Sequence, residues 1–585
     1  MGGFFTMPGF LAEISLKQGK VAKNFNLTFD SGLMVESLEE KHYYIERRTI
    51  KKFERDKVFA EDENYIVLTE GVILNSLELM EKYKTSDLKN AIIKMYEQNG
   101  ETFFKEFRGS FSGLLYDRKT DKWLIYTNHF GDKQIFYLLL KDRLIVASEM
   151  TWIVDYMKNN GIPYSLDEIG AYFILTYGYM LEDYTIIRQI KKLMAGTYIK
   201  VENGDFNVNR YFVVDNKPDN TQTEEEIIEN IDKLFRKAVR LEFEKDREYG
   251  FKHIASLSGG LDSRMTVWVA HEMGYTEQLN VTFSQTDYID EVVAKSIARD
   301  LKHDWVFFSL DNGLYLTNIY DMLKINYGNV LYSGAAHVHH AVSKLNFQNF
   351  GLYHTGQLGD VILGTYYGSE DPEKPYTPGA GAYSTKLIRS DEVKFLRYEY
   401  ENEEVFKFYN RGFNGILSGN LPVQKYTEVV SPFLDVDFFT YCLKIPLKYR
   451  FDHRIYKKWI LKKHPDAAKY VWEKMQGRIT DLSIRIRGHS ITLKALPRKV
   501  IIKLFKKSSL ASRWHMNPID YWYNTNEKLK DFINSFYSAN IHFVQNPHVR
   551  EMCEKLFKEG NSLEKIQVLT VLAAWKFYSP DSEFH

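Results

Sequence analysis

Two patterns of apolar spacing divide the chain. From residue 1 to about 213, apolar residues fall in short runs rich in Val, Ile, Tyr and Phe, at 65–68, 111–116, 123–126, 135–140 and 144–147. Gly, Asp and Lys part them, so they predict strands of a largely antiparallel sheet. Helices are predicted at 77–84, 86–97 and 166–177, the second from the spacing of Leu88, Ile92, Ile93 and Tyr96. The polar stretch 214–223, with Pro218, reads as a linker. Beyond it come a charged amphipathic helix (224–245), a strand (253–257), a helix (263–273), a strand (279–283) and a helix (291–301). That alternation predicts right-handed crossovers and a parallel sheet, with a nucleotide site at the carboxyl ends of its strands. After about 390 the pattern turns mostly helical. The expectation is an α+β domain over 1–213, then an α/β domain with a helical C-terminal part over 214–585.

Composition narrows the function. At 585 residues the chain exceeds what one core supports. With 44% hydrophobic and 15% aromatic residues it has the makings of packed domains rather than disorder. Lys plus Arg and Asp plus Glu both total 77, so no global field favours nucleic acid as a partner. Cys442 and Cys553 stand alone, which excludes a disulfide framework and a cysteine zinc cage and suits a reducing cytoplasm. The N-terminus has no charged leader, and no run approaches the roughly 18–20 apolar residues a spanning helix needs. An oligomeric state is left open.

Chemistry concentrates at Leu257-Ser258-Gly259-Gly260-Leu261-Asp262-Ser263. The two glycines permit close approach of backbone to a phosphate, Ser258 and Ser263 offer hydroxyls, and the following helix aims its first amides at an anion. The Lys of a Walker A loop and the third Gly of a dinucleotide fingerprint are missing. Asp262 beside a phosphate calls for an intervening cation, hence Mg2+.

In these residues the chain resembles the asparagine synthetase superfamily, and further segments in family order extend the likeness: Thr355-Gly356-Gln357-Leu358-Gly359-Asp360 with Gly364, Ser431-Pro432-Phe433-Leu434-Asp435, and Lys458-Trp459-Ile460-Leu461-Lys462. The resemblance implies an N-type ATP pyrophosphatase synthetase domain that binds ATP and Mg2+. It would place Asp262 and Asp360 on Mg2+, Thr355, Gly356 and the Phe283 backbone by the nucleotide, and Lys474, after Trp472 and Glu473, in catalysis. Residues 1–213 resemble the Ntn-type glutamine amidotransferase half of these enzymes, through Phe107-Arg108-Gly109-Ser110-Phe111, Asp117-Arg118, His129-Phe130-Gly131-Asp132-Lys133 and Ala147-Ser148-Glu149. The family's glutaminase needs a thiolate after Met1, where this chain has Gly2, and its glutamine-binding run is replaced by Glu70-Gly71-Val72-Ile73-Leu74-Asn75. The domain is therefore expected to be a degenerate glutaminase, as in the β-lactam synthetase-like and lasso-peptide cyclase-like branches.

The implied function is an AMP-forming amide ligase that adenylates a small-molecule, peptide or sugar carboxylate and passes the acyl group to an amine or ammonia, in natural-product, peptide or cell-surface glycan biosynthesis. The alternatives are a nucleotide-binding pseudoenzyme that regulates a partner and an ammonia-dependent asparagine synthetase-like enzyme. Gln357 stands where the family has a base, and a carboxamide accepts no proton at neutral pH; it is expected to position the acyl group instead. Asn410 replaces an acidic partner, which leaves Tyr409, Glu401, Glu403, Glu404 or the substrate itself as base, or no base if the amine arrives uncharged. His337, His339 and His340 read as a helix lining the cleft rather than as metal ligands. The Pro/Gly-rich run 371–381 reads equally as a lid or a surface loop. The basic stretch 485–513 offers contact with a membrane or an anionic substrate.

Overall fold

The strand Tyr65–Gly71 is buried at every position, which requires cover on both faces of its sheet. In the computed structural model, which describes residues 7–17, 19–25, 32–219, 221–371, 374–486, 489–492 and 515–579 with only the backbone of 483–492, that cover comes from two sources. The strand belongs to a six-stranded antiparallel sheet ordered Asp205–Arg210, Thr197–Glu202, Lys122–Thr127, Phe111–Asp117, Tyr65–Gly71, Phe59–Glu61. One face meets a second six-stranded antiparallel sheet, ordered Lys191–Lys192, Phe136–Leu139, Arg143–Ala147, Gly9–Ser15, Tyr43–Thr49, Met34–Glu40. Phe10, Ile14 and Ile45 pack there with Ile66, Leu114 and Ile125. The other face places Val67, Leu115 and Leu124 under Leu88, Ile92 and Met95 of the helix Leu88–Asn99, which starts at the Asp87 cap.

The outer face of the second sheet carries the helices Met150–Asn159 and Glu168–Tyr177, and on the latter lies the C-terminal helix Ser562–Phe577. Gln567 fixes that docking by donating to the carbonyls of Ile174 and Leu175 at 3.1 and 3.0 Å. The largest apolar cluster thus runs across residue 213: it holds Leu11 and Ile145 together with Ile319, Trp522 and Val568.

The second half is built on a five-stranded, wholly parallel sheet, ordered Asp304–Ser309, Gln278–Ser284, Lys252–Ser256, Phe350–His354, Val429–Val430. The long helix Glu224–Glu248 crosses one face, opened by a Thr223/Glu226 capping box. It presents Glu242 and Asp246 to His354, whose Nδ1 and Nε2 lie 3.1 and 2.9 Å from them, while His253 Nδ1 reaches Asp246 at 2.8 Å. Asp246, His253 and His354 have the spacing of a metal group. Burial alone would lower the His354 pKa, but the two carboxylates outweigh it and raise it to about 9. Both its nitrogens are committed, so the group is a buried ion network that ties helix to sheet.

A second buried network joins the halves. Lys133, from the His129 to Lys133 motif, pairs with Glu428 at 2.6 Å; Lys57 pairs with Glu428 at 3.1 Å and with Glu70 at 3.5 Å. Replacing Lys133 by Met would leave buried Glu428 with Lys57 as its remaining cation. A loss of about 1–3 kcal/mol of stability, read by urea unfolding, is the expected result.

No helix among the described residues is long and apolar enough to cross a membrane. Gly2 and most of the basic stretch 485–513 lie outside the described residues; of the latter the backbone shows a hairpin, Ser483–Ile486 against His489–Thr492.

Candidate active site

The strand Lys252–Ser256 leads into the 257–260 loop, and the helix Leu261–Glu272 starts on Gly260 as its N-cap. Leu257 anchors the loop, donating to Val281 at 2.9 Å. Ser258 N–H and Oγ both lie 3.0 Å from Ser263 Oγ, and Gly260 N–H donates to Ser258 Oγ at 3.2 Å. Gly259 N–H donates to Asp290 at 2.8 Å, and a Cβ on Gly259 would stand 3.0 Å from that carboxylate oxygen. The loop amides are therefore engaged by side chains. The first-turn amides of the helix, which have no intrahelical acceptor, remain the natural donors to an anion. Neither glycine adopts a left-handed φ; they serve close packing.

The next strand, Phe350–His354, ends at Thr355, Gly356, Gln357 and Leu358 before the short helix Gly359–Ile362. Thr355 is held to Val430 by its N–H (2.9 Å) and Oγ1 (3.0 Å). Glycines let this loop lie directly on the first one: a Cβ at Gly356 would stand 2.3 Å from the Asp262 carbonyl carbon, and one at Gly359 2.8 Å from Asp262 Cγ. Asp262 and Asp360 are thereby brought side by side. Asp360 N–H donates to Asp262 Oδ2 at 2.9 Å and Tyr456 OH to Oδ1 at 3.0 Å. Enclosure by protein, and then the Asp360 charge, push the Asp262 pKa well above the usual carboxylate range. Asp360 keeps about half of its side chain open (48%). Adjacent hard oxygens, one pair on a half-exposed side chain, suit Mg2+.

The shift sets a pH dependence. A carboxyl whose folded pKa lies above its unfolded value stabilises the fold at low pH and loses that contribution as pH rises through the folded pKa. Mg2+ held by Asp262 and Asp360 would relieve the repulsion between the ionised pair. Its addition is therefore expected to raise Tm more above the folded pKa of Asp262 than below it, by calorimetry over a pH series, with Asp262→Asn removing the difference.

Lys474 completes the cluster, with Nζ 3.8 Å from Asp360 Oδ2 and 3.2 Å from His453 Nε2. Its neighbour Glu473 is stitched to the first loop, N–H to Gly259 O at 3.2 Å, and accepts from Tyr288 OH at 2.7 Å. Burial, then the charges of Lys474 and Lys457, lower the His453 pKa to about 3, so its ring is neutral and accepts from the ammonium. Arg264 locks the same region, donating to Gly259 O (3.1 Å) and Val471 O (2.6 Å). The segments around Phe433 and Trp459 brace the site from behind: Phe433 packs under Gly359, and Trp459 Nε1 donates to Asp232 at 3.0 Å.

Gln357 and Asn420 exchange carboxamide bonds at 2.8 and 2.6 Å. The pair sits at the edge of a cleft of about 610 Å3. Gly178 and Tyr179 contribute to its wall, so the N-terminal half helps to shape it. Phe283, at the end of its strand, holds its ring 5.4 Å from that of His337, a cleft residue. His340 instead bonds Ser309 O at 3.1 Å and lies 2.8 Å from Lys344 Nζ, so the histidines do not converge. The loop beside the cleft is fastened rather than loose. Buried Glu392 takes bonds from Tyr172 (2.7 Å), Gly379 N–H (2.6 Å), Tyr177 and Tyr376, and Gly381 O accepts from Tyr179 at 3.0 Å; Pro372 and Glu373 lie outside the described residues.

The candidate bases are engaged elsewhere. Tyr409 OH accepts from Val214 N–H at 3.1 Å, Glu401 pairs with Lys217 at 3.1 Å, Glu403 with Lys374 at 2.6 Å, and buried Glu404 with Arg450 at 2.8 Å. Asn410 accepts from Glu182 N–H at 2.7 Å and donates to Phe406 O at 2.9 Å. The structure presents Arg411 instead, on the π-helical turn Phe408–Gly415. Its guanidinium lies 5.7 Å from the Tyr383 ring, and its buried Nε has no hydrogen-bond partner among the described residues. Nor has the buried Tyr366 hydroxyl, which feels both Arg411 and Asp360.

Comparison with known proteins matches two family models in series: a glutamine amidotransferase domain over residues 52–212 and asparagine synthase over 230–405. Asparagine synthetase [glutamine-hydrolyzing] 1 of Bacillus subtilis is 25% identical over 250 residues, covering 41% of this chain and 38% of the relative. A putative asparagine synthetase [glutamine-hydrolyzing] 2 of Methanocaldococcus jannaschii is 28% identical over 261 residues, 41% of this chain and 49% of the relative. The matched region spans less than half the length of either relative. With the two domain types in this order and a parallel sheet under the matched synthase segment, the chain belongs to the asparagine synthetase superfamily.

Proposed function

We propose that the protein is an ATP- and Mg2+-dependent amide ligase that releases AMP and pyrophosphate. The observation that carries this reading is the interlocking of the two loops, which sets Asp262, Asp360 and Lys474 around one opening at the carboxyl ends of the parallel strands. A carboxylate oxygen attacks the α-phosphorus, forming an O–P bond as the bond to the bridging oxygen breaks and pyrophosphate leaves. An amine then attacks the acyl carbon, AMP departs and the nitrogen loses a proton. Charge develops on the attacking and leaving oxygens, and preorganised opposite charge is the strongest available stabiliser. Mg2+ held by Asp262 and Asp360 would supply part of it. Lys474, its Nζ 3.2 Å from the neutral His453 ring, would supply more. Ser258 and Ser263 hold the first loop in shape, the helix amides face the pyrophosphate, and Thr355, Gly356 and Phe283 border the nucleotide. Gln357, locked to Asn420, positions the acyl group at the edge of the cleft.

The nitrogen comes from an amine or free ammonia rather than from glutamine. In support, Met7, Glu70, Lys133 and Ser148 bound a cavity of about 20 Å3, room for a water and not for glutamine. Lys133 is also spent on Glu428. The test is pyrophosphate release from ATP across a panel of carboxylic acids, with hydroxylamine as the amine. Acid-dependent pyrophosphate with hydroxamate is the expected outcome. Glutamine hydrolysis above background would defeat the nitrogen assignment, and ADP formation the ligase reading.

A further inference from the structure

The walls of the large cleft specify what the acid looks like. Among its described lining residues there is no lysine or arginine; apart from tyrosines, the ionisable ones are His337, whose pKa burial lowers, His515 and the exposed Asp520, which already accepts from Ser562 N–H at 2.9 Å. Tyr179, Tyr315, Leu331, Val338, Ile416 and Leu563 supply rings and aliphatic surface. Arg411 stands behind the Tyr383 ring and is not part of the wall. A second anionic group on the substrate would lose its hydration here without meeting a lysine or arginine among the described lining residues. The volume, about 610 Å3, is that of a site for a sizeable small molecule and is far more than an acid of a few carbons fills.

Glycines make the room. A Cβ at Gly334 would meet nothing within 4 Å, and one at Gly419 would come no closer than 3.7 Å to Gly334 O and 3.9 Å to Gln357 Nε2. Both glycines line the cleft beside Gln357.

Resting on the ligase reading above, we infer that the cleft receives the body of a monocarboxylic acid that is uncharged beyond its reacting carboxylate and carries aromatic or branched aliphatic bulk. Only the reacting carboxylate reaches past Gln357 to the Asp262 and Asp360 side. This excludes compact dicarboxylates and zwitterionic amino acids as preferred acyl donors.

The test is ATP–pyrophosphate exchange, which needs no amine, on the full-length chain with Mg2+. Aryl- and branched-alkyl monocarboxylic acids are compared with succinate and L-aspartate, in wild type and Gly334→Leu. That variant sits in the first turn of the helix Tyr332–Val342, where Leu favours the helix more than Gly does and its side chain projects into the open cleft. The expected result is at least tenfold higher kcat/KM for the uncharged acids, and at least a tenfold rise in their KM in Gly334→Leu with KM for ATP unchanged. Exchange confined to succinate or L-aspartate overturns this inference and leaves the ligase reading standing. An unchanged acid KM in Gly334→Leu overturns it too. Absence of exchange with every acid removes the ligase reading and this inference together.

Discussion

Asp262→Asn is expected to lower pyrophosphate formation roughly 10³-fold, the scale on which a preorganised electrostatic group acts, while the fold is retained or slightly stabilised. The two signs separate a functional carboxylate from a structural one. Asp262 accepts from Asp360 N–H on Oδ2 and from Tyr456 OH on Oδ1; the Asn oxygen can keep the first bond while its NH2 donates to the Tyr456 hydroxyl. What disappears is the second negative charge beside Asp360, which burdens the folded protein until a cation arrives. Thermal unfolding in EDTA should therefore show an equal or higher Tm in the variant. Magnesium titration monitored by Tm should show a shift in wild type and none in Asp262→Asn.

Lys474→Met carries the second large expectation, a fall in kcat of roughly 10²–10³-fold with nucleotide affinity within a few-fold of wild type. Nζ lies 3.8 Å from Asp360 with 43% of the side chain exposed toward the opening, so its fold contribution as an ion pair is small. Its charge matters where phosphate charge moves. Single-turnover pyrophosphate release and nucleotide binding, measured on the same preparation, distinguish this from a binding defect. A loss confined to ATP affinity would reassign Lys474 to ground-state binding.

Much of the fold was legible in the periodicity. The buried strands at 65–68, 111–116 and 123–126 and the strand–helix alternation after 253 appear within a few residues of their expected places, because period 2 and period 3.6 patterns are local properties. The C-terminal helix Ser562–Phe577 falls in the stretch after 390 that was expected to be mostly helical. Its docking on Glu168–Tyr177 was not legible, since nothing local in an apolar helix names its partner almost 400 positions away.

In the candidate site, Asp262, Asp360, Gly356 and Gly359 lie in compact motifs whose spacing survives as sequence. His453 and Tyr456 precede a recognisable motif and carry no signal of their own; their value comes from a turn with left-handed φ at Asp452 and His453 that aims them at Asp360 and Asp262. Asn410 and Glu404 stood at plausible sequence positions, yet both are consumed by interior bonding. Arg411, one residue further along the π-helical turn, instead sets its guanidinium 5.7 Å from the Tyr383 ring. A one-residue change in phase on a helix rotates a side chain by about 100°, which sequence spacing alone does not resolve.

The central claim is that a carboxylate attacks the α-phosphorus of ATP. With the carboxyl oxygens of an accepted acid labelled with oxygen-18, turnover in the presence of hydroxylamine must leave one label in AMP, seen as the isotope shift of its phosphorus NMR signal, and none in pyrophosphate. Label recovered in inorganic phosphate alongside ADP, or AMP formed without label, would contradict it.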